Sequence, residues 1–217
     1  MPLTCSPHTT WQPQGTVYGT LLNFRREWGL WAPRMAQDPY KAPPQAPVLY
    51  VKSANTFSPN GQALRLQDGV GEVDVGATLG LIMGEYGQVV GAALLCDWSV
   101  SHASYFRPPV KFRCRDGFLA LPSQATPGQA SDWAALRIDV RRNGQWVQTV
   151  DMGELMRPLP QLLADVAEFM GLQCGDVLMV GTDCLADGTR PRAKAGDRVE
   201  ISAPGFTPLA IDLAGAA

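Results

Sequence analysis

The sequence predicts a mainly β fold of the α+β class, with few helices. Glycine (22) and proline (18) make up about 18% of the 217 residues, above the usual share of about 12%, which favours short strands joined by turns. Several segments alternate apolar and polar residues with the period of two that a strand imposes. One of them runs into Asn143-Gly144, which is typical of a tight β-hairpin.

Strands are predicted where apolar residues alternate or run without interruption. The first, Val48–Lys52, follows a proline-rich stretch. Alternation over residues 73–83 predicts a strand with one strongly apolar face, whereas the nearly continuous apolar run 89–95 predicts a strand covered on both faces. Two more strands, 177–180 and Arg198–Ser202, each follow a Gly-Asp turn.

The hairpin is the most sharply defined element. Residues 136–141 alternate between apolar and charged side chains, and residues 145–150 form the returning strand. Between them, Asn143 and Gly144 both tolerate the positive φ that a two-residue type I′ turn demands.

One helix is predicted, over residues 159–170. Pro160 suits a first helical turn, and Gly171 suits the position just after a helix end. Its apolar residues recur at helical spacing: Leu159, Leu162, Leu163, Val166, Phe169 and Met170.

Composition limits the classes of protein to consider. A net charge of −2 argues against a nucleic-acid binder, because binding to phosphate backbones requires a basic surface. The first twenty residues contain no apolar run, and no apolar stretch has the roughly 20 residues that span a bilayer. Five cysteines without a C-x-x-C pair suit a reducing compartment, so we expect a soluble cytoplasmic protein without a membrane partner.

Residues 1–14 are predicted to form a loose N-terminal arm, and residues 15–217 a single domain.

Common enzyme motifs are missing. Two histidines leave little for a His-based metal site or a Ser-His-Asp triad, and no nucleotide-binding loop is present. Four cations fall within nine residues, and they predict either a clamp for a carboxylate-rich ligand or a solvated basic loop: Arg107, Lys111, Arg113 and Arg115. Asp97 directly follows an apolar run, so it is a candidate metal ligand or base, or else a turn residue.

Several blocks, in order from about Gly15 to Asp212, resemble the fumarylacetoacetate hydrolase family. The match comes from the order of the blocks, since each alone is weak. They are Gly15-Thr-Val-Tyr-Gly-Thr-Leu-Leu-Asn-Phe-Arg25, Lys41-Ala-Pro-Pro, Val48-Leu-Tyr-Val-Lys-Ser-Ala-Asn-Thr56, Gly76-Ala-Thr-Leu-Gly-Leu-Ile-Met-Gly84, Cys96-Asp-Trp-Ser99, Arg113-Cys-Arg-Asp-Gly-Phe118, Asn143-Gly144, Gly175-Asp-Val-Leu-Met-Val-Gly-Thr182 and Gly196-Asp-Arg-Val199. The resemblance implies a mixed β-sandwich roll of the type found in the C-terminal domain of that family.

The resemblance also implies which residues form the site, but this sequence lacks two of the family's metal ligands. Catalytic members hold Mg²⁺ or Mn²⁺ through an E-x-E pair and an aspartate. The E-x-E positions are Gly76 and Thr78 here, so only Asp97 remains as a metal ligand and we expect no binding by this chain alone. The family histidine is replaced by Glu27, a candidate for proton transfer, and the family lysine by Arg113, which can only stabilise negative charge.

The resemblance further implies candidate contacts with substrate. Asn23 and Thr182 match substrate-binding positions of the family, and the four cations of 107–115 are candidates for the distal carboxylates. The segment 105–118 is most similar to the N-terminal module of two-module members that act as an isomerase and decarboxylase in 4-hydroxyphenylacetate (homoprotocatechuate) catabolism. Their substrates are 2-hydroxyhepta-2,4-diene-1,7-dioate and 5-oxopent-3-ene-1,2,5-tricarboxylate.

We therefore expect one component of such an enzyme, forming a homo-oligomer or pairing with a metal-bearing second module. A non-catalytic structural subunit and a stand-alone acylpyruvate-type C–C hydrolase are the alternatives.

Overall fold

The computed structural model describes residues 11–106 and 110–216, and its fold is mainly β. The helices in these ranges are α1 (Arg25–Trp31), α2 (Val110–Arg113) and α3 (Leu159–Ala167), and short 3-10 turns lie at Arg34–Ala36, Ala54–Thr56, Ala130–Trp133 and Met152–Glu154. The strands are β1 (Val17–Leu21), β2 (Val48–Lys52), β3 (Phe57–Ser58), β4 (Leu64–Arg65), β5 (Glu72–Asp74), β6 (Ala77–Met83), β7 (Val89–Asp97), β8 (Leu119–Ala120), β9 (Thr126–Pro127), β10 (Arg137–Arg142), β11 (Gln145–Asp151), β12 (Val177–Met179), β13 (Arg192–Lys194), β14 (Arg198–Ser202) and β15 (Leu209–Ala214).

Two sheets pack against each other. Within the described ranges, the large sheet has the order β2-β1-β12-β6-β7-β8-β3, with β9 also paired to β7, and the second sheet has the order β11-β10-β14-β15-β4. β5 and β13 form a separate pair. The two ends of the large sheet, β2 and β3, are joined by only the residues 53–56, so the sheet curls back towards itself as a roll.

Apolar clusters cover both faces of the large sheet. Between the two sheets, Leu79 and Leu94 pack with Val140 and Ile201 in the larger cluster. Because side chains alternate along a strand, Leu95 on β7 points the other way and packs in a second cluster. Asp97, two residues further on, lies on this second face of the sheet.

Most predicted elements are present, but two differ. The alternation over 73–83 is split at residues 75–76, because β5 pairs with β13 whereas β6 pairs with β7 and β12. β6 is buried almost throughout rather than on one face. The helix α3 ends at Ala167 rather than at residue 170; after its end, Phe169 is 55% exposed, whereas Met170 still packs against the larger apolar cluster.

The hairpin forms as predicted. β10 and β11 pair in antiparallel fashion, and Asn143 (φ 53°) and Gly144 (φ 77°) adopt the positive φ of the turn. β2 and β14 have the predicted bounds. In residues 11–106 and 110–216, no helix combines the length and apolar character needed to cross a bilayer.

Candidate functional site

Asp97 ends β7 in a buried cluster of charges. Lys52 Nζ lies 2.9 Å from Asp97 Oδ1, and both side chains are fully buried. The other oxygen, Oδ2, accepts hydrogen bonds from the Tyr50 hydroxyl and from Arg113 Nη1. Tyr50 and Lys52 project from the same face of β2, because they are two residues apart on one strand. Both carboxylate oxygens of Asp97 are therefore bound by groups of the protein itself.

The electrostatics of this cluster favour an ionised Asp97. Burial alone would raise the pKa of Asp97, but the charges of Lys52 and Arg113 outweigh it and hold the pKa below its ordinary value. Burial and the Asp97 carboxylate raise the pKa of Tyr50 well above its ordinary value, so the phenol remains a hydrogen-bond donor. With two cations and one carboxylate, the cluster carries a net charge of about +1.

The donor set does not fit Mg²⁺ or Mn²⁺. These cations prefer several oxygen ligands, but the two other family ligand positions are Gly76 and Thr78. A Cβ atom on Gly76 would overlap the Asp97 carbonyl oxygen and lie 2.8 Å from Thr182 Cγ2, so the backbone leaves no room there for a larger side chain. In the described part of the chain, no group of three or more His, Cys, Asp or Glu residues could hold a metal ion.

A second buried cluster is centred on Glu27. This residue of α1 is 2% exposed, and its Oε1 accepts hydrogen bonds from the Tyr105 hydroxyl, at 2.6 Å, and from Arg190 Nη2. Arg190 Nε also donates to Thr182 Oγ1 at 3.0 Å. Burial and the Glu27 carboxylate raise the pKa of Tyr105 to about 12, so the phenol keeps its proton at neutral pH.

The two clusters adjoin each other. A Cβ atom on Gly76 would lie close to both the backbone carbonyl oxygen of Asp97 and the Cγ2 atom of Thr182. Burial and Asp97 raise the pKa of Tyr50, and the charge of Arg190 in the second cluster opposes that rise. The predicted residues Glu27, Asp97, Arg113 and Thr182 thus meet in one region.

Two other residues predicted to contact substrate, Asn23 and Arg115, form hydrogen bonds within the protein. Asn23 is buried with its amide bonded to backbone, because Nδ2 donates to Val180 O at 2.9 Å and Oδ1 accepts from Arg157 N at 3.0 Å. Arg115 Nη1 donates to Gln67 Oε1 at 2.8 Å.

Three of the four cations of the predicted clamp can be placed. Lys111 is exposed and Arg115 is partly buried, whereas Arg113 is buried against Asp97. Arg107 lies outside the described residues. The placed cations therefore have different surroundings and partners, and a role for Lys111, Arg115 or Arg107 with substrate stays a prediction.

Four residues of the two clusters were not predicted from the sequence: Tyr50, Lys52, Tyr105 and Arg190. A signal existed for Lys52, since a lysine within an otherwise apolar strand needs a buried partner or an exposed edge. Arg190 lies in a loop after β12 and offers no such pattern.

His102 lies in a loop next to this region. Its Nδ1 is 3.0 Å from Val100 O, and its ring stacks on Phe112 at a centroid distance of 4.8 Å. Burial lowers the pKa of His102 below its ordinary value. The ring therefore favours the neutral form at neutral pH.

The comparisons with known proteins agree on one family. The sequence model of the fumarylacetoacetate (FAA) hydrolase C-terminal family matches residues 16–214. A 4-hydroxyphenylacetate degradation bifunctional isomerase/decarboxylase of Escherichia coli is 33% identical over 208 residues, which are 90% of this chain and 46% of the relative. The chain thus spans about half the length of that relative.

Solved structures show the same fold. A 5-carboxymethyl-2-hydroxymuconate delta-isomerase from Mycobacterium smegmatis aligns with a TM-score of 0.72 at 18% identity, covering 93% of this chain and 79% of the other. A fumarylpyruvate hydrolase from Pseudomonas aeruginosa, solved with Mn²⁺ and pyruvate, aligns with a TM-score of 0.68 at 18% identity, covering 95% and 94%. With the family match over nearly the whole length, this chain belongs to the fumarylacetoacetate hydrolase family.

Proposed function

We propose that this chain is one module of an isomerase/decarboxylase that processes di- and tricarboxylate intermediates of 4-hydroxyphenylacetate catabolism. The identity of 33% over 90% of the chain to an enzyme of that description supports the proposal. Because the chain spans 46% of that relative, we further propose that a second module completes the enzyme, in a hetero-oligomer or a homo-oligomer.

The observation that carries a catalytic role is the pairing of Glu27 with Tyr105 and Arg190. Isomerisation of a 2-hydroxy-diene acid removes the hydroxyl proton and adds a proton to carbon, and it passes through an enolate. A carboxylate and a protonated phenol 2.6 Å apart provide a base and an acid for these two transfers. The guanidinium of Arg190 beside them would stabilise the negative charge of the enolate.

The metal belongs to the second module in this proposal. Decarboxylation of a 2-oxo acid is assisted by a divalent cation, which accepts electron density from the carboxylate and oxo oxygens. The donor set around Asp97 does not suit such an ion, whereas a module with an intact E-x-E pair would supply it. Dependence on Mg²⁺ or Mn²⁺ is therefore expected of the assembled enzyme rather than of this chain.

One observation favours the structural-subunit alternative. Both oxygens of Asp97 are bound by Lys52, Tyr50 and Arg113, so groups of the protein alone satisfy this carboxylate. The hydrolase alternative has support only from the shared fold of hydrolases such as the Pseudomonas enzyme. A structural subunit would add no turnover, whereas a hydrolase would give products different from those of the isomerase.

The test is turnover of 2-hydroxyhepta-2,4-diene-1,7-dioate, followed by loss of diene absorbance and by product analysis. The purified chain is assayed alone and mixed with the metal-bearing module, with Mg²⁺ and with EDTA. Glu27→Gln should reduce the contribution of this chain at least tenfold, whereas Glu85→Gln, in an exposed turn, should not. If the chain adds no activity alone or in the mixture, it is a structural subunit; release of a 2-oxo acid by C–C cleavage would establish a hydrolase.

A further inference from the structure

We infer that the Lys52–Arg113–Asp97 cluster binds the carboxylate of an organic acid directly, with Arg113 as the hydrogen-bond donor and without a divalent cation. The inference deepens the proposed function, since the bound anion would be the substrate's carboxylate. It assigns to this chain the charge-neutralising task that a metal ion performs where an E-x-E pair is present.

The Lys52–Arg113–Asp97 cluster holds an excess of positive charge. Lys52, Arg113 and Asp97 have almost no exposed side-chain surface, and together they hold two positive charges and one negative charge. Glu27, the carboxylate of the adjoining cluster, is already paired with Arg190. A buried net positive charge is costly unless an anion compensates it. A ligand carboxylate would supply that compensation.

The hydrogen bonds of the cluster leave a donor of Arg113 available for a ligand. All three protons of the Lys52 ammonium have acceptors, namely Asp97 Oδ1, Arg113 O and Phe118 O, so Lys52 contributes charge only. Arg113 Nη1 donates to Asp97 and to Tyr50. Arg113 Nε, in contrast, is buried and has no acceptor among residues 11–106 and 110–216. A buried N–H without an acceptor is rare in proteins, and guanidinium N–H groups match carboxylate oxygens well.

The guanidinium of Arg113 is held in a fixed position by its neighbours. Its guanidinium carbon lies 5.0 Å from the centroid of the Tyr50 ring, in addition to its bond to Asp97. The donor is thus held in place before a ligand arrives, which reduces the entropy cost of binding. Asp97, which would be a metal ligand in the family pattern, here serves to position Arg113.

The experiment is a calorimetric titration of pyruvate, a small 2-oxo carboxylate, into the 217-residue chain with excess EDTA. We expect binding in EDTA, with an affinity that Mg²⁺ changes less than twofold. Arg113→Met should weaken binding at least tenfold. Arg137→Met, which removes an exposed cation on β10, should leave it unchanged. Absence of binding in EDTA, or binding that arises only with Mg²⁺, would overturn the inference.

A second variant guards against misfolding of Arg113→Met. Arg113→Lys keeps the charge but lacks the planar N–H groups, so we expect a thermal transition close to that of the wild type and at least fivefold weaker binding. Wild-type affinity in Arg113→Lys would show that Nε is not the donor.

A chain that binds pyruvate in EDTA but adds no turnover would contradict the proposed function alone. A chain that turns over substrate but binds pyruvate only with Mg²⁺ would contradict this inference alone.

Discussion

Lys52 and Asp97 lie on strands four places apart in the order of the large sheet, yet Lys52 Nζ is 2.9 Å from Asp97 Oδ1. At a spacing of about 4.8 Å between strands, a flat sheet would hold them about 19 Å apart. The contact exists because the sheet curls, and it joins β2 to β7 across the inside of the curl. The ion pair and the shape of the sheet therefore depend on each other.

Replacing Asp97 should destabilise the fold strongly. Asp97→Asn leaves Lys52 and Arg113 buried without a counter-charge, and we expect a loss of about 3–5 kcal/mol in the free energy of unfolding, the usual cost of breaking a buried pair. Urea unfolding measures it. The control is Asp212→Asn, which removes an exposed partner of Arg198 and should have little effect. Equal effects of the two substitutions would contradict the structural role of the buried cluster.

The same residue should make stability depend on acid pH. The pKa of Asp97 in the folded chain lies below its ordinary value of 3.8, so the folded state holds the ionised form more strongly than the unfolded state does. Its contribution is complete above the unfolded pKa and is lost as pH falls through the folded pKa. The difference in unfolding free energy between wild type and Asp97→Asn should therefore be constant from about pH 5 to 7 and shrink below about pH 4. A difference that stays constant down to pH 2 would contradict this.

Sequence patterns predicted the local elements better than their partners. The β10–β11 hairpin could be predicted because the Asn143-Gly144 turn and the alternation are encoded within fifteen residues. The break between β5 and β6 could not be predicted, because it depends on the pairing of β5 with β13, which lies over a hundred residues away in the chain. The end of α3 was missed because Phe169 and Met170 keep the apolar helical spacing beyond Ala167, where the helix ends.

In the site, too, single residues were predicted better than their distant partners. Glu27 and Thr182 were found through family motifs, and Asp97 and Arg113 were singled out by local patterns as well as by those motifs. Their partners were not found, because Arg190 is 163 residues from Glu27 and Lys52 is 45 residues from Asp97. Such pairs form only in the folded chain.

Removing the Tyr105 hydroxyl should impair catalysis if Tyr105 acts as the acid. Tyr105→Phe deletes the group bonded to Glu27, and we expect turnover of the diene dioate to fall about 10²-fold, the lower range for general acid catalysis. Tyr86→Phe is the matched control, because Tyr86 is 89% exposed. Steady-state kinetics separate an effect on kcat from one on KM, and an unchanged kcat would remove Tyr105 from the proton-transfer step.

The isolated chain should hold no stoichiometric Mg²⁺ or Mn²⁺. Asp97 has both oxygens bound by protein groups, and the Gly76 and Thr78 positions supply no carboxylate. Calorimetric titration of each cation into the metal-free chain should show no tight site. A tight site in the wild type that disappears in Asp97→Ala would prove this prediction wrong.

Exposed apolar side chains beside the site predict that the chain associates. They are Val51 (48% exposed) and Val110 (62%), and the backbone carbonyl groups of both residues accept hydrogen bonds from Cys114. Covering apolar surface contributes about 25 cal/mol per Å², and a standard interface buries about 1,600 Å² in total. We expect the chain to dimerise or to bind the metal-bearing module at micromolar concentration, and Val51→Lys to weaken this association at least tenfold.

Val90→Lys, at the opposite end of β7 from Asp97, is the control, since Val90 is similarly exposed (45%). Sedimentation that shows only a 23.4 kDa monomer, with or without the second module, would refute the shared-enzyme proposal.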